Sequence, residues 1–156
     1  MKTIYRRRFE GKTDYKARMA LLKSGKKRIV VRKSNRYVIA QIVESEIAQD
    51  KVLFSFSSRD LIKKGIPKEN SGSLKSISAA YLTGFFLGEE GLSKGVKEAI
   101  FDMGLNRNIH KSRIYAVLKG VIDSGIKVPH NEKALPDVES IKSNKKFSAL
   151  INKVLK

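Results

Sequence analysis

Three short runs rich in β-branched and aromatic residues follow one another between residues 28 and 58, and they restrict the possible folds more than anything else in the chain. RIVVRKS is followed, after Asn35-Arg36, by YVIAQIVE and, after a polar break over 45–50, by KVLFSFSS. Such side chains pack well on a pleated surface, and connections this short join antiparallel neighbours, so a three-stranded meander is expected. In the third run Val52, Phe54 and Phe56 share one face while Ser55 and Ser57 share the other, which suits a sheet covered more fully on one side.

Beyond a loop over 63–73, the residues Leu74, Ile77, Tyr81, Leu82, Phe85 and Phe86 predict a helix that is apolar on most of its circumference, hence largely buried, and ends near Gly88. A weaker helical turn over 92–97 then precedes a strand over 99–103, bounded by Gly104. A helix lying between strands implies a right-handed crossover and parallel pairing. Ile114, Val117, Leu118, Val121 and Ile122 mark an amphipathic helix, with Gly125 as C-cap and Pro129 beyond. The expected fold is therefore α/β with a mixed sheet in the order βββ-α-β-α, that of a ribonuclease-H-like core. Phe147, Leu150, Ile151, Val154 and Leu155 predict a terminal helix that needs a partner to form.

With 156 residues there is room for one domain, and the charge divides it. Residues 1–36 carry 14 Lys and Arg against Glu10 and Asp14, so two thirds of the net charge of +18 sits in under a quarter of the chain. The expected organisation is an extended basic arm over 1–12, unstructured until it meets its partner, a single domain over 13–130, and a basic tail over 131–156. Thr13 reads as the N-cap of a short helix over about 14–23, with Asp14 in its first turn and Ser24-Gly25 at its end. So concentrated a charge calls for a polyanionic partner.

Several chemistries are excluded or unsupported. Without cysteine there are no disulfides, thiolate metal sites or cysteine nucleophiles. The apolar run over 79–87 is about half the length a bilayer requires, and the N-terminus lacks the apolar stretch of a secretory signal, so a cytoplasmic protein without a membrane partner is expected. Metal-dependent nucleases with this strand order hold their ions on carboxylates from the first strand, the first core helix and the fourth strand. Here no acid lies over 26–42 or 71–88, and Asp102 stands alone on the fourth strand, where a bond to a helix N-terminus is its expected role. His110 and His130 have no ligand spacing, and neither a Gly-x-Ser-x-Gly elbow nor a phosphate loop is present. No cofactor, small-molecule substrate or enzymatic activity is expected, and a metal-dependent nuclease is the alternative.

What remains suits folded RNA. Arginine forks hold phosphates and stack on bases, and Tyr5, Phe9 and Tyr15 interleave with the basic run as stacking surfaces, although Tyr15 and Met19 are also spaced to pack together. Anionic lipid is the weaker partner, since apolar anchors in the arm are few.

The segments over 6–43, SAAYLTG over 78–84, DMGLNR over 102–107 and SRIYAVLKGVIDSGIKVPH over 112–130 together resemble the archaeal L-eighteen family of large-subunit ribosomal proteins, whose eukaryotic counterpart is the fifth large-subunit protein. The resemblance implies a non-catalytic ribonuclease-H-like fold. It implies binding of 5S rRNA and its attachment to 23S rRNA in the central protuberance, beside another 5S-binding ribosomal protein. It implies RNA-facing positions at Arg6, Arg7, Arg8, Lys12, Thr13, Tyr15 and Arg18. To these are added Lys26, Lys27, Arg28, Arg32, Lys33, Ser34, Asn35 and Arg36 around the first strand and hairpin, and Lys111, Ser112 and Arg113 before the last core helix. Ser34 and Asn35 could equally serve only as turn formers. The loop over 65–73 and the short basic C-terminal region depart from the family pattern, so contacts made by those parts do not carry over.

Overall fold

A computed structural model describes residues 3–47 and 49–154. Strands β1 (Arg28–Lys33), β2 (Val38–Glu46) and β3 (Gln49–Ser57) form the expected antiparallel meander, with a bulge between Ile42 and Val43. Strand β4 (Ile100–Asp102) runs parallel to β1, Ile29 opposite Phe101, and completes a mixed sheet in the order β3-β2-β1-β4. The β2–β3 connection is tighter than the polar break suggested, because Ser45 pairs with Asp50 and Glu46 with Gln49.

Helix α3 (Ile77–Ser93) lies over β2 and β3, and α4 (Arg113–Asp123) packs along α3 and beside β1. Two glycines set that helix pair. A side chain on Gly84 would run into the Val117 carbonyl, and one on Gly120 into the Tyr81 carbonyl, so the two backbones touch where any larger residue would separate them. Helix α3 also runs past its expected end. Gly88 and Gly91 do not break it, because they make room for Ser124 and Ile42. The helical turn expected over 92–97 is absent for the same reason: α3 itself covers its start, and the chain then turns at Gly95, where φ is +81°. Leu74 precedes α3 rather than belonging to it.

Ile29, Val31, Val38, Ala40, Ile42 and Phe56 meet Tyr81, Leu82, Leu87, Val117 and Val121 in one core. Val52, placed by its alternation on the covered face, is about half exposed at the outer end of β3.

The C-terminal segment does not need another molecule to fold. Helices α5 (Val138–Lys142) and α6 (Ser148–Val154) bury Ile141 and Ile151 in that same core, the 3-10 turn Lys145–Phe147 between them buries Phe147 there, and Ser78 Oγ donates to the Ile141 carbonyl at 2.5 Å. Leu155 lies outside the described residues. Among the described residues no helix is long and apolar enough to cross a membrane.

Candidate nucleic acid interface

The arm has more local structure than its composition promised. Arg6–Phe9 form one helical turn, α1, and Arg6 Nε donates to Glu10 at 3.0 Å while Lys12 also pairs with Glu10 at 2.8 Å. The single acid of the arm thus draws its neighbouring cations into a turn, correcting the expectation of a wholly extended arm; residues 1–2 lie outside the described residues. Helix α2 (Tyr15–Lys23) is capped by Asp14, whose carboxylate accepts from the amides of Lys16 and Ala17, and not by Thr13. Thr13 instead accepts from Arg7 Nε at 2.9 Å, tying the two helical pieces together. The rings of Tyr5 and Tyr15 lie 5.0 Å apart. Neither helix buries a single residue, and Met19 is 58% exposed.

An ion cluster fixes this unburied segment to the body. Alternation along β1 sends Ile29 and Val31 into the core and Arg28, Val30 and Arg32 to the opposite face of the sheet. Arg28 is 1% exposed; its guanidinium reaches Asp102 at 2.8 Å, Asp50 at 2.5 Å and Ser45 at 2.9 Å, while its Nε is buried without a partner. Arg18 of α2 joins the same cluster by donating to Asp50 at 2.8 Å. Partial burial works to raise the Asp50 carboxyl, but hydrogen bonds from Arg18, Ser45 and Arg28 and the Arg28 charge outweigh it and hold it well below the usual carboxylate range. The hydrogen bond to Asp50 correspondingly raises Arg18.

Asp102, then, does not cap a helix. It accepts from Arg28 and from the Gly104 amide at 2.8 Å, and Arg32 lies 3.5 Å away. Among the described residues no three His, Asp or Glu side chains are grouped to hold a metal ion. His130 bonds the Val128 carbonyl through Nδ1, and His110 stands edge-on to Tyr115.

Around this anchor the basic groups converge. A groove bordered by Arg7, Lys12, Thr13, Asp14 and Arg18 on the arm side and by Arg32, Asp50, Asp102 and Gly104 on the body side runs between α2 and the sheet, its cations partly offset by these three carboxylates. Gly104, with φ at +60°, keeps the space above it for the Arg32 guanidinium, which donates to the carbonyls of Val31 and Asp102. A second cavity, bordered by Lys33, Arg107, Ser112 and Arg113, lies beyond the hairpin, and Leu105 and Asn106 border both. Three segments distant in sequence therefore form one basic trough. Arg6, Arg8, Asn35 and Arg36 are exposed but line neither cavity. Ser34 closes the hairpin, its hydroxyl both donating to the Tyr37 carbonyl and accepting from the Tyr37 amide at 2.9 Å.

Other expected positions do not join the trough. Arg28, counted among RNA-facing residues, is the buried anchor just described, since a strand position flanked by core residues removes it from solvent. Lys26 pairs with Glu98 at 3.1 Å and borders a different cavity. Lys27 is half-buried at the start of β1. Lys111, at φ +55°, donates its backbone N–H to the Ala134 carbonyl and turns its ammonium to Asp137 at 2.7 Å. Sequence reasoning missed Leu105, Asn106 and Arg107 as interface residues; the signal was an arginine set between asparagines and exposed aliphatics just after Gly104.

The family model described as ribosomal large subunit proteins 60S L5 and 50S L18 matches residues 1–98 and 91–131. A protein of Aeropyrum pernix called large ribosomal subunit protein uL18 is 46% identical over 137 residues, 88% of this chain and 63% of that protein. Proteins of the same name from Methanothermobacter thermautotrophicus and Korarchaeum cryptofilum are 43% and 46% identical over 141 residues, 90% of this chain and 71% and 70% of theirs. The chain thus spans just under two thirds of the Aeropyrum relative's length and somewhat more of the other two.

Proposed function

The chain belongs to the family of large-subunit ribosomal proteins 60S L5 and 50S L18, and from that premise we propose that it is a structural constituent of the large ribosomal subunit that binds 5S rRNA. In this reading it helps attach 5S rRNA to 23S rRNA in the central protuberance and sits beside a neighbouring 5S-binding protein. The observation that carries the reading is the joining of the arm, the β1–β2 hairpin and the head of α4 into one basic trough around residues 105–106.

The division of labour follows from the chemistry. Arg6, Arg7, Arg8 and Lys12 neutralise phosphates, displacing counterions and giving an affinity insensitive to sequence. Tyr5 and Phe9, both largely exposed, offer faces on which unpaired bases stack. The Asp50 cluster aligns the arm with the body, so that the two halves of the trough meet an RNA of one shape. Register on a folded RNA then comes from surface complementarity, and 5S rRNA is distinguished from an unstructured strand by its shape.

The test is a filter-binding titration of the full chain against 5S rRNA and against an unstructured RNA of equal length. With roughly 6 to 10 phosphate contacts, affinity for 5S rRNA falls by about 10³ to 10⁵ between 50 and 200 mM salt. The unstructured RNA binds more weakly throughout. A flat salt dependence, or equal affinity for the two RNAs, overturns the reading.

A further inference from the structure

The cavity beyond the hairpin differs in kind from the groove under the arm. It measures about 690 Å³, within the range of small-molecule sites, and brings together residues from β1, the 105–109 loop and the N-terminal ends of α3 and α4. Its walls are part aliphatic and part cationic. Leu105 and Ile109 line it although they are 54% and 59% exposed, and Ile77 lies beside them. Lys33, Arg107 and Arg113 supply three cations, and among the described residues no carboxylate lines it. Phosphate contact alone would give the aliphatic side chains no role.

Its polar groups point the same way. Asn106, which also borders the cavity, is anchored by its Nδ2, which donates to the Met103 carbonyl at 2.7 Å. The two helix heads differ: Ser76 caps α3 by accepting from the Ala79 amide, whereas Ser112 makes no capping bond on α4, and its hydroxyl is buried without a hydrogen-bond partner.

We propose that this cavity receives one unstacked nucleotide of the RNA, its base against Leu105, Ile109 and Ile77 and its phosphate between Arg107, Arg113 and Lys33. The proposal rests on the RNA-binding reading and deepens it. Paired bases keep their faces in the stack, so only an unpaired one can offer the apolar surface these side chains match. Continuity with the arm's groove through Leu105 and Asn106 favours RNA over a protein side chain, because a strand tracked along the trough arrives at this mouth.

The test pairs the variant Leu105→Ser/Ile109→Ser with Arg107→Ala in the full chain, using 5S rRNA and 5S rRNA substituted with 4-thiouridine. Leu105 and Ile109 are exposed, so the double variant keeps the parent melting temperature. It binds 5S rRNA about tenfold more weakly with an unchanged salt slope, since an apolar base contact releases no counterions. Arg107→Ala lowers the slope by about one. Irradiation of the parent complex joins an unpaired nucleotide to the peptide over 105–109. If the double variant binds 5S rRNA as the parent does and no crosslink forms there, while Arg6→Ala/Arg7→Ala/Arg8→Ala still loses affinity, the pocket assignment falls and the RNA-binding reading stands. If the double variant binds 5S rRNA normally but fails to enter large subunits, the cavity docks a protein, which also overturns the proposal. Failure of the parent chain to bind 5S rRNA removes both readings together.

Discussion

Helices α1 and α2 and helices α3 and α4 are built from the same backbone hydrogen bonds, yet nothing else about them is alike. In the second pair Gly84 and Gly120 let two backbones touch, and burial on nearly every side holds them. In the first no residue is buried, and Arg18 holds α2 to the body by donating to an aspartate that the buried Arg28 fixes from below. The difference teaches that a surface left for a partner cannot be stabilised by burial before that partner arrives. It must be aligned by charge, and the aligning charge must itself be anchored in the sheet. Disturbing the anchor, the helix crossing and the tie should therefore cost progressively less.

The largest effect on stability is expected from Arg28→Ala, which leaves the nearly buried Asp102 carboxylate without its principal partner. Breaking a buried pair on one side costs about 3–5 kcal/mol, measurable by urea denaturation. Loss of under ~1 kcal/mol would mean that the cluster is only a surface network. Gly120→Ala comes next. Its methyl group would press on the Tyr81 carbonyl, forcing α3 and α4 apart at a cost of about 1–3 kcal/mol while leaving the arm in place. An unchanged melting temperature would show that the crossing is looser than its backbone contacts imply.

Acid sharpens the contrast from the other side. The Asp50 carboxyl is held below its ordinary value of 3.8, so the unfolded chain takes up that proton first. The stability it contributes is complete above that value and is lost as pH falls through it toward the folded value. Asp50→Asn should remove that part of the acid sensitivity below about pH 4, which denaturation series of the two proteins at falling pH would compare. The smallest effect belongs to Arg18→Ala. A partly exposed ion pair contributes about 0–1 kcal/mol, so the thermal transition should barely move. A large drop would make α2 part of the body after all.

How far this contrast was legible in the sequence depends on which interaction decides each element. The meander, the parallel fourth strand and α4 follow from local apolar patterning, because alternation and helical spacing are themselves the cause of burial. Gly88 misleads because the same residue type ends a helix in one setting and admits a neighbour in another, and only the packing of Ser124 against it separates the two. Phe147 and Ile151 were visible as an apolar stripe, but nothing local says that the stripe returns to its own chain. Arg28 was the most instructive error. It was counted with its basic neighbours, although RIVV already set it beside core positions, where a guanidinium needs acids brought from elsewhere. Those acids, Asp50 and Asp102, lie 22 and 74 residues away. The trough was legible as three basic segments; its closure through Leu105 and Asn106 was not, since it exists only once the hairpin and the 105–109 loop are adjacent.

In the proposed reading the arm grips RNA and the body carries it, two separable roles in one chain. Deleting residues 1–12 and measuring both 5S rRNA affinity and the melting temperature of the same preparation tests this most directly. The account predicts a loss of affinity of at least about a hundredfold at 100 mM salt, with a shallower salt slope and a thermal transition within a few degrees of the parent. A truncated chain that melts much earlier yet binds 5S rRNA as tightly as before would contradict it.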